Sequence, residues 1–170
     1  MGKFSIYLIV YLCGIVLQFT MAKYAAIYGL FPNVLLLGLL FIGLTRGSTA
    51  GEIMGFLWGL SWDALSVDLF SSHALMFTII GYFSGKLSRK LDESKIATQM
   101  AIAGFASIVF WAGIGITRMV FGENANGIRL DYITLLQIPY NMLIAPIIFG
   151  LGKYISYLFA AKEKADIFHQ

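Results

Sequence analysis

The sequence predicts an all-α integral membrane protein that crosses the membrane as six helices, and three observations lead to this fold class. Of the 170 residues, 59% are apolar and only 12% are charged, and the mean hydropathy is +0.80. A soluble domain of this size still exposes about a third of its surface, and so apolar a chain cannot cover that surface with polar groups. Six apolar segments alternate with short polar ones, as in a multi-pass membrane protein.

The predicted spans cover residues 4–22, 27–44, 49–66, 73–87, 96–121 and 132–159. The first is long enough to cross the hydrocarbon core at about 1.5 Å per residue. Residues 20–22 weakly resemble a signal-peptidase site, so cleavage after this span is an alternative. In the second span, Pro32 is expected in the first helical turn, where its missing N–H is harmless.

Spans three and four are short and rich in spaced glycines, and the last two are separated from them by polar loops. The charged stretch 86–95 predicts a loop in water, and residues 122–131, rich in turn formers, predict a second loop. Pro139 and Pro146 are expected to break or bend the sixth span. The polar tail from residue 161 onward is expected to fray.

The basic residues predict the orientation of the chain. Six spans place both termini on one side, and the positive-inside rule selects that side. With the amino terminus inside, nine basic residues are cytoplasmic and three are external, so the prediction is N-in, C-in. The internal set is Lys3, Arg46, Lys86, Arg89, Lys90, Lys95, Lys153, Lys162 and Lys164, and the external set is Lys23, Arg118 and Arg129.

Glycines at every fourth position of the third span lie on one slowly drifting helical stripe. In lipid, helices gain little from the hydrophobic effect, and small residues decide which helices approach closely. We expect this stripe and its shorter counterpart in span four to form a groove for a partner transmembrane helix; helix packing alone is the alternative. The predicted packing residues are Gly47, Gly51, Gly55, Gly59, Gly81 and Gly85.

Asp63 occupies the next position of the same stripe, in the outer half of the membrane. A charged aspartate there costs a few kcal/mol on insertion scales, so its side chain is expected to face protein, water or a cation. We expect an outer polar cluster that serves as a polar anchor, a binding cavity or a structural ion-pair network. Its members are Asp63, Asp68, His73, Arg118 and Asn141.

At the cytoplasmic side, Glu52 is expected to snorkel or to pair with Arg46. Lys86, Arg89 and Lys90 are expected to contact anionic lipid headgroups or, as the alternative, an acidic partner surface.

The sequence contains no recognisable catalytic or metal-binding pattern. Its one cysteine, Cys13, rules out a disulfide within the chain and is expected to be buried and inert. Neither His73 nor His169 has cysteine or glutamate at metal-ligand spacing, and no Walker, GxSxG or HExxH motif occurs. We therefore expect no catalytic residue, no metal, no cofactor and no nucleic-acid partner.

A series of motifs covers about residues 31 to 91. Pro32 precedes a leucine-rich helix, Arg46-Gly47 follows it, the spaced glycines lead to Asp63, and His73-Ala74-Leu75 precedes Gly81-Tyr82 and Gly85-Lys86. This order resembles the bacterial rod shape-determining membrane protein family MreD. The chain has Asn33 where the family often has aspartate, and Ser71-Ser72 where a glycine is common.

The resemblance implies a non-enzymatic subunit of the cell-wall elongation machinery in the bacterial inner membrane. The expected partners are the bitopic protein MreC, the actin-like MreB, the polymerase RodA and its class B transpeptidase, with a homodimer as a further alternative. It also implies a fold similar to the six-helix S components of energy-coupling-factor transporters. The alternative function is therefore an S component that captures a vitamin in an outer cavity closed by the loop 122–131.

Overall fold

The structure, a computed structural model, describes residues 3–24, 30–65, 71–92, 94–121 and 132–168. These residues form α-helices joined by short connections, which confirms the all-α prediction. The helices are α1 Lys3–Tyr24, α2 Val34–Arg46, α3 Ser48–Leu65, α4 Ser72–Leu87, α5 Ile96–Phe121 and α6 Tyr132–Phe168.

Helix α2 lies at the centre of the bundle and packs against each of the other five helices. Its leucine-rich sequence is apolar on every side, which is typical of a helix that is buried all round. The outer helices bury one face each and expose apolar side chains on the other, such as Val16 on α1 and Phe105 on α5. The buried residues of α2 are Val34, Leu35, Leu36, Leu37, Leu39, Leu40, Phe41, Ile42, Gly43 and Leu44.

Three of the described helices are long and apolar enough to cross a membrane, over Tyr7–Tyr24, Ile96–Phe121 and Leu135–Leu158. Helix α2 is equally apolar, but its 13 residues extend only about 20 Å, less than the hydrocarbon core. The count of six spans and the N-in, C-in orientation therefore stay predictions.

Two expectations for these helices are wrong. Helix α2 begins at Val34, not near Ile27, because Pro32 lies before the helix and the side chain of Asn33 caps its first turn. Helix α6 is continuous through Pro139 and Pro146, so the predicted break is absent while the predicted bend stays a prediction, and the helix continues through the predicted frayed tail to Phe168. Each proline removes only its own N–H, a loss that neighbouring helices can compensate in a membrane protein.

Candidate functional site

The glycine stripe of α3 packs directly against α4 of the same chain. A Cβ atom added at Gly55 would lie 2.7 Å from the carbonyl carbon of Phe77, and one at Gly59 would lie 2.6 Å from the backbone nitrogen of Ala74. Both distances are far below van der Waals contact, and backbone atoms cannot rotate out of the way. Only glycine therefore permits the observed spacing between these helices.

Glycines lie on both sides of this antiparallel interface. A Cβ at Gly81 would lie 2.6 Å from the carbonyl carbon of Gly51, and one at Gly85 would lie 2.5 Å from the carbonyl carbon of Gly47. The chain's own fourth helix thus fills the groove that the sequence analysis assigns to a partner helix, which corrects that expectation. Gly47 contributes only its backbone to this interface: its φ of +92° forms the turn between α2 and α3, and a Cβ there would meet nothing within 4 Å.

Asp63 lies at the other end of the α3–α4 hairpin and caps the N-terminus of α4. Its Oδ1 accepts a hydrogen bond from the backbone N–H of His73 at 3.1 Å and lies 2.8 Å from Nδ1 of the same residue. Its Oδ2 accepts from the backbone N–H of Ala74 at 2.9 Å. The side chain is buried. It accepts hydrogen bonds from N–H groups that a helix N-terminus leaves unpaired, and an acidic group is favourable at the positive end of the helix dipole. Asp63 therefore joins the end of α3 to the start of α4.

His73 adds aromatic contacts to this cap. Its ring centroid lies 6.0 Å from that of Trp62, 6.5 Å from that of Phe77 and 5.7 Å from that of Phe110. Its Nδ1 lies within hydrogen-bond distance of Asp63 Oδ1, at 2.8 Å. The pair fixes the imidazole orientation inside a cluster contributed by α3, α4 and α5.

The non-helical segment before α2 is half-buried except for the buried Pro32, and side chains from α1 and α6 bond to its backbone. Gln137 donates to the carbonyl of Phe31 at 3.0 Å. Gln18 donates to the carbonyl of Pro32 at 3.3 Å and accepts from the N–H of Leu35 at 3.2 Å. Irregular backbone at membrane depth is tolerated only where protein or water supplies such partners.

Asn141 extends this polar network from α6 to α2 and α5. Its Oδ1 accepts from the backbone N–H of Asn33 at 2.9 Å, and its Nδ2 donates to Oγ of Ser107 at 2.9 Å. Sequence reasoning missed Gln18, Gln137 and Ser107. The available signal was the presence of polar residues within apolar spans of a chain that also carries Pro32, whose flanking backbone groups need partners.

A cavity of about 180 Å³ lies beside this network. Of the predicted polar cluster, only His73 lines it, with Asp63 bonded behind the imidazole. Arg118 is half-buried in the last turn of α5, and neither it nor Asn141 lines the cavity; Asp68 and the loop 122–131 lie outside the described residues. The lining residues are Gln18, Leu30, Phe31, Asn33, Trp62, His73, Phe110, Trp111 and Gln137.

Comparison with models of protein families gives a match, over residues 1–155, to the family described as rod shape-determining protein MreD. The chain belongs to the MreD family. The match reaches well beyond residues 31–91, on which the motif resemblance rests, and includes α1, α5 and most of α6. No curated protein and no solved structure matches the chain, so the likeness to S components stays a prediction.

Membership of the MreD family gives the chain a role in rod shape determination and makes it a membrane protein. Two positions that depart from the usual MreD motif have local structural roles. The side chain of Asn33 accepts from the N–H of Leu36 at 3.0 Å, a helix cap that aspartate provides equally well. Ser71 has a φ of +80°, a left-handed conformation in which glycine avoids a steric penalty.

The predicted cytoplasmic residues of this MreD chain gather at the end of the hairpin opposite to Asp63. The close approach of Gly85 to Ser48 places the C-terminal end of α4 beside the start of α3, and hence beside the end of α2. Glu52 is also exposed, and within the described residues no ion pair joins it to the end of α2. The exposed basic residues at this end are Arg46, Lys86, Arg89 and Lys90.

The turn after α4 adds a carboxylate to this basic end. Hydrogen bonds from the side chain and backbone N–H of Ser94 hold the pKa of Asp92 below its usual value. Asp92 also lies 3.9 Å from the ammonium group of Lys95, so the carboxylate stays ionised and balances part of the local positive charge.

Cys13 is exposed, so its predicted burial is wrong. Helix α1 packs mainly on α2 and α3, and its opposite face, which carries the thiol, is uncovered. Ser72 Oγ is buried, and among the residues that the structure describes it has no hydrogen-bond partner. Within the described ranges, no group of three His, Cys, Asp or Glu side chains is arranged to hold a metal.

Proposed function

We propose that this chain is a non-enzymatic, multi-pass scaffold of the bacterial inner membrane that binds MreC and helps to position the peptidoglycan synthase. The observation that carries the proposal is the MreD family match over residues 1–155. Through MreC, the complex would also include MreB, RodA and the class B transpeptidase. Its action is positioning, and this requires a body that keeps its shape and a surface that a partner can contact.

The packing of the bundle supports the first requirement. Helix α2 is buried by all five neighbours, and α3 and α4 approach so closely that a methyl group does not fit between them at Gly55. Protein interiors packed in this way deform little and transmit displacement as rigid units. A partner bound to one helix would therefore be held in a defined relation to the others.

The second requirement is a surface that a partner can contact, and such a surface lies on the outside of the bundle. Because α4 fills the glycine groove, the single span of MreC or a second copy of this chain would have to contact an exposed apolar face. Such faces occur on all of the helices around α2, and one exposed residue is chosen on each helix as a test position. These residues are Val16 on α1, Phe56 on α3, Ile79 on α4, Phe105 on α5 and Ile147 on α6.

Cysteine crosslinking in cells that also produce MreC tests the proposal. Because Cys13 is exposed, it is first replaced by serine, and single cysteines are then introduced at the five exposed positions. Ala103→Cys, at a fully buried position, is the negative control. We expect crosslinks to MreC at one helix or at two adjacent ones, identified by mass, and co-purification of MreC with the unmodified chain.

Absence of MreC from both the crosslinked products and the purified complex would contradict the proposal. Crosslinks only between copies of this chain would favour the homodimer alternative. Crosslinking at every position, including Ala103→Cys, would indicate an unfolded protein. Every variant is therefore required to give a single size-exclusion peak.

The alternative, a vitamin-binding S component, has one observation in its favour, the cavity beside His73. Its volume of about 180 Å³ lies below the roughly 300–1,000 Å³ that pockets for drug-sized ligands provide. Arg118 and Asn141, which this alternative places in the cavity wall, do not line it. The geometry therefore supports the scaffold better than vitamin capture.

A further inference from the structure

The cavity beside His73 has walls of two chemical kinds. Aromatic rings form one part, from Trp62, His73, Phe110 and Trp111, and amide side chains contribute another. An engineered cavity of about 150 Å³ in another protein holds benzene, so a volume of about 180 Å³ accommodates one small planar aromatic group. Aromatic walls favour such a ring through stacked and edge-to-face contacts.

Gln137 supplies a polar group to the cavity wall. Its Nε2 donates to the carbonyl of Phe31, which identifies its other terminal atom, Oε1, as an acceptor. The residue is only 9% exposed, and in the described part of the chain no donor reaches this oxygen. Gln137 lines the cavity, so a ligand there that brings an O–H or N–H can donate to this oxygen.

We propose that this cavity binds one small planar aromatic group that carries a hydrogen-bond donor, as in a phenol or an indole, with the donor directed to Gln137 Oε1. This chemistry has two sources, a free aromatic molecule or a tyrosine or tryptophan side chain of a partner. The ring site stands on the cavity alone; only its assignment to a partner side chain rests on the proposed binding of MreC.

Tryptophan fluorescence provides a direct measurement on the purified full chain in detergent. Two of the three tryptophans, Trp62 and Trp111, line the cavity, whereas Trp58 packs between Gly14 and Gly38. The probe is 4-bromophenol, whose bromine quenches indole fluorescence at contact distance. We expect saturable quenching, and about three- to tenfold weaker binding of 4-bromoanisole, which has the same ring but no donor.

Two variants identify the site and the acceptor. The double variant with Trp62→Phe and Trp111→Phe is expected to lose the saturable quenching. Gln137→Met is expected to keep ring binding but lose the preference for the phenol, whereas Gln99→Met, at another buried glutamine, keeps it. If a variant does not fold, the comparison of the two probes on the unmodified chain still tests whether the site prefers a ligand with a hydrogen-bond donor.

Equal affinity for both probes, or quenching that never saturates, would overturn the proposal. So would stronger quenching of Trp62 and Trp111 by lipids with brominated acyl chains, because the cavity would then be a lipid site. With MreC bound, loss of the 4-bromophenol site assigns a partner side chain to the cavity, and retention assigns a free molecule. If MreC does not bind at all, the proposed function fails while the result for the ring site stands.

Discussion

A single methyl group at Gly55 tests whether the α3–α4 interface holds the protein together. In Gly55→Ala, the new Cβ would lie 2.7 Å from the carbonyl carbon of Phe77 and 3.1 Å from the backbone nitrogen of Thr78, where ordinary contact begins at 3.4 Å. The helices must therefore move apart, because neither atom belongs to a side chain that can rotate. Overpacking of this kind costs about 1–3 kcal/mol, and the better helix propensity of alanine returns up to about 1 kcal/mol.

The expected net effect is a loss of roughly 1–2 kcal/mol in the free energy of unfolding. The matched control is Gly150→Ala on α6, where a Cβ meets nothing within 4 Å and the same propensity gain of up to about 1 kcal/mol acts alone. Reversible unfolding in detergent with a denaturant, followed by near-ultraviolet circular dichroism, measures both variants. If Gly55→Ala proved as stable as Gly150→Ala, the reasoning from backbone contact would be refuted.

Three further substitutions test the ends of the helices in the same unfolding assay. Asp63→Ala removes the cap of α4 and is expected to lower the free energy of unfolding by about 2–3 kcal/mol. Asn141→Leu leaves the N–H at the start of α2 without its acceptor and is expected to destabilise by about 1–3 kcal/mol. Ser71→Gly relieves the left-handed backbone and is expected to stabilise by about 1 kcal/mol.

Each of these expectations has an outcome that contradicts it. The control for Asp63→Ala is Glu52→Ala, which removes an exposed acid from the same helix; equal stability of the two variants would mean that the cap contributes nothing. An unchanged midpoint in Asn141→Leu would show that water replaces the amide. A less stable Ser71→Gly variant would contradict the positive φ at that residue.

The sequence predicted the elements of the fold better than their ends. The bounds of α5 agree to the residue with the prediction, because a long apolar run lies between two polar segments. The start of α2 was wrong because hydropathy does not distinguish a helix from an extended apolar segment. The decisive groups there are the missing N–H of Pro32 and the side chains that satisfy its neighbours, Gln18 and Gln137, which lie about 15 and 105 residues away.

The candidate site was predicted in part. Placing Asp63 on a buried stripe required only helical periodicity, whereas its bonds to the start of α4 depend on how the chain returns after α3. The sequence predicts that Arg118 and Asp63 both lie towards the outer ends of their spans, but Arg118 does not line the cavity. Residues on different helices cannot be brought together by spacing alone, because spacing fixes height along each helix and not the neighbour that it faces.

The glycine groove shows why a small-residue stripe does not by itself identify a partner. Only residues 66–71 separate α3 from α4, and a short connection gives the second helix an effective concentration on the order of millimolar or more. A partner helix of equal fit must compete with that local concentration while it diffuses in the membrane. Where a Gly-xxx-Gly span follows a glycine-striped span so closely, pairing within the chain is therefore favoured, and partner contacts are to be sought on the faces that the pair leaves uncovered.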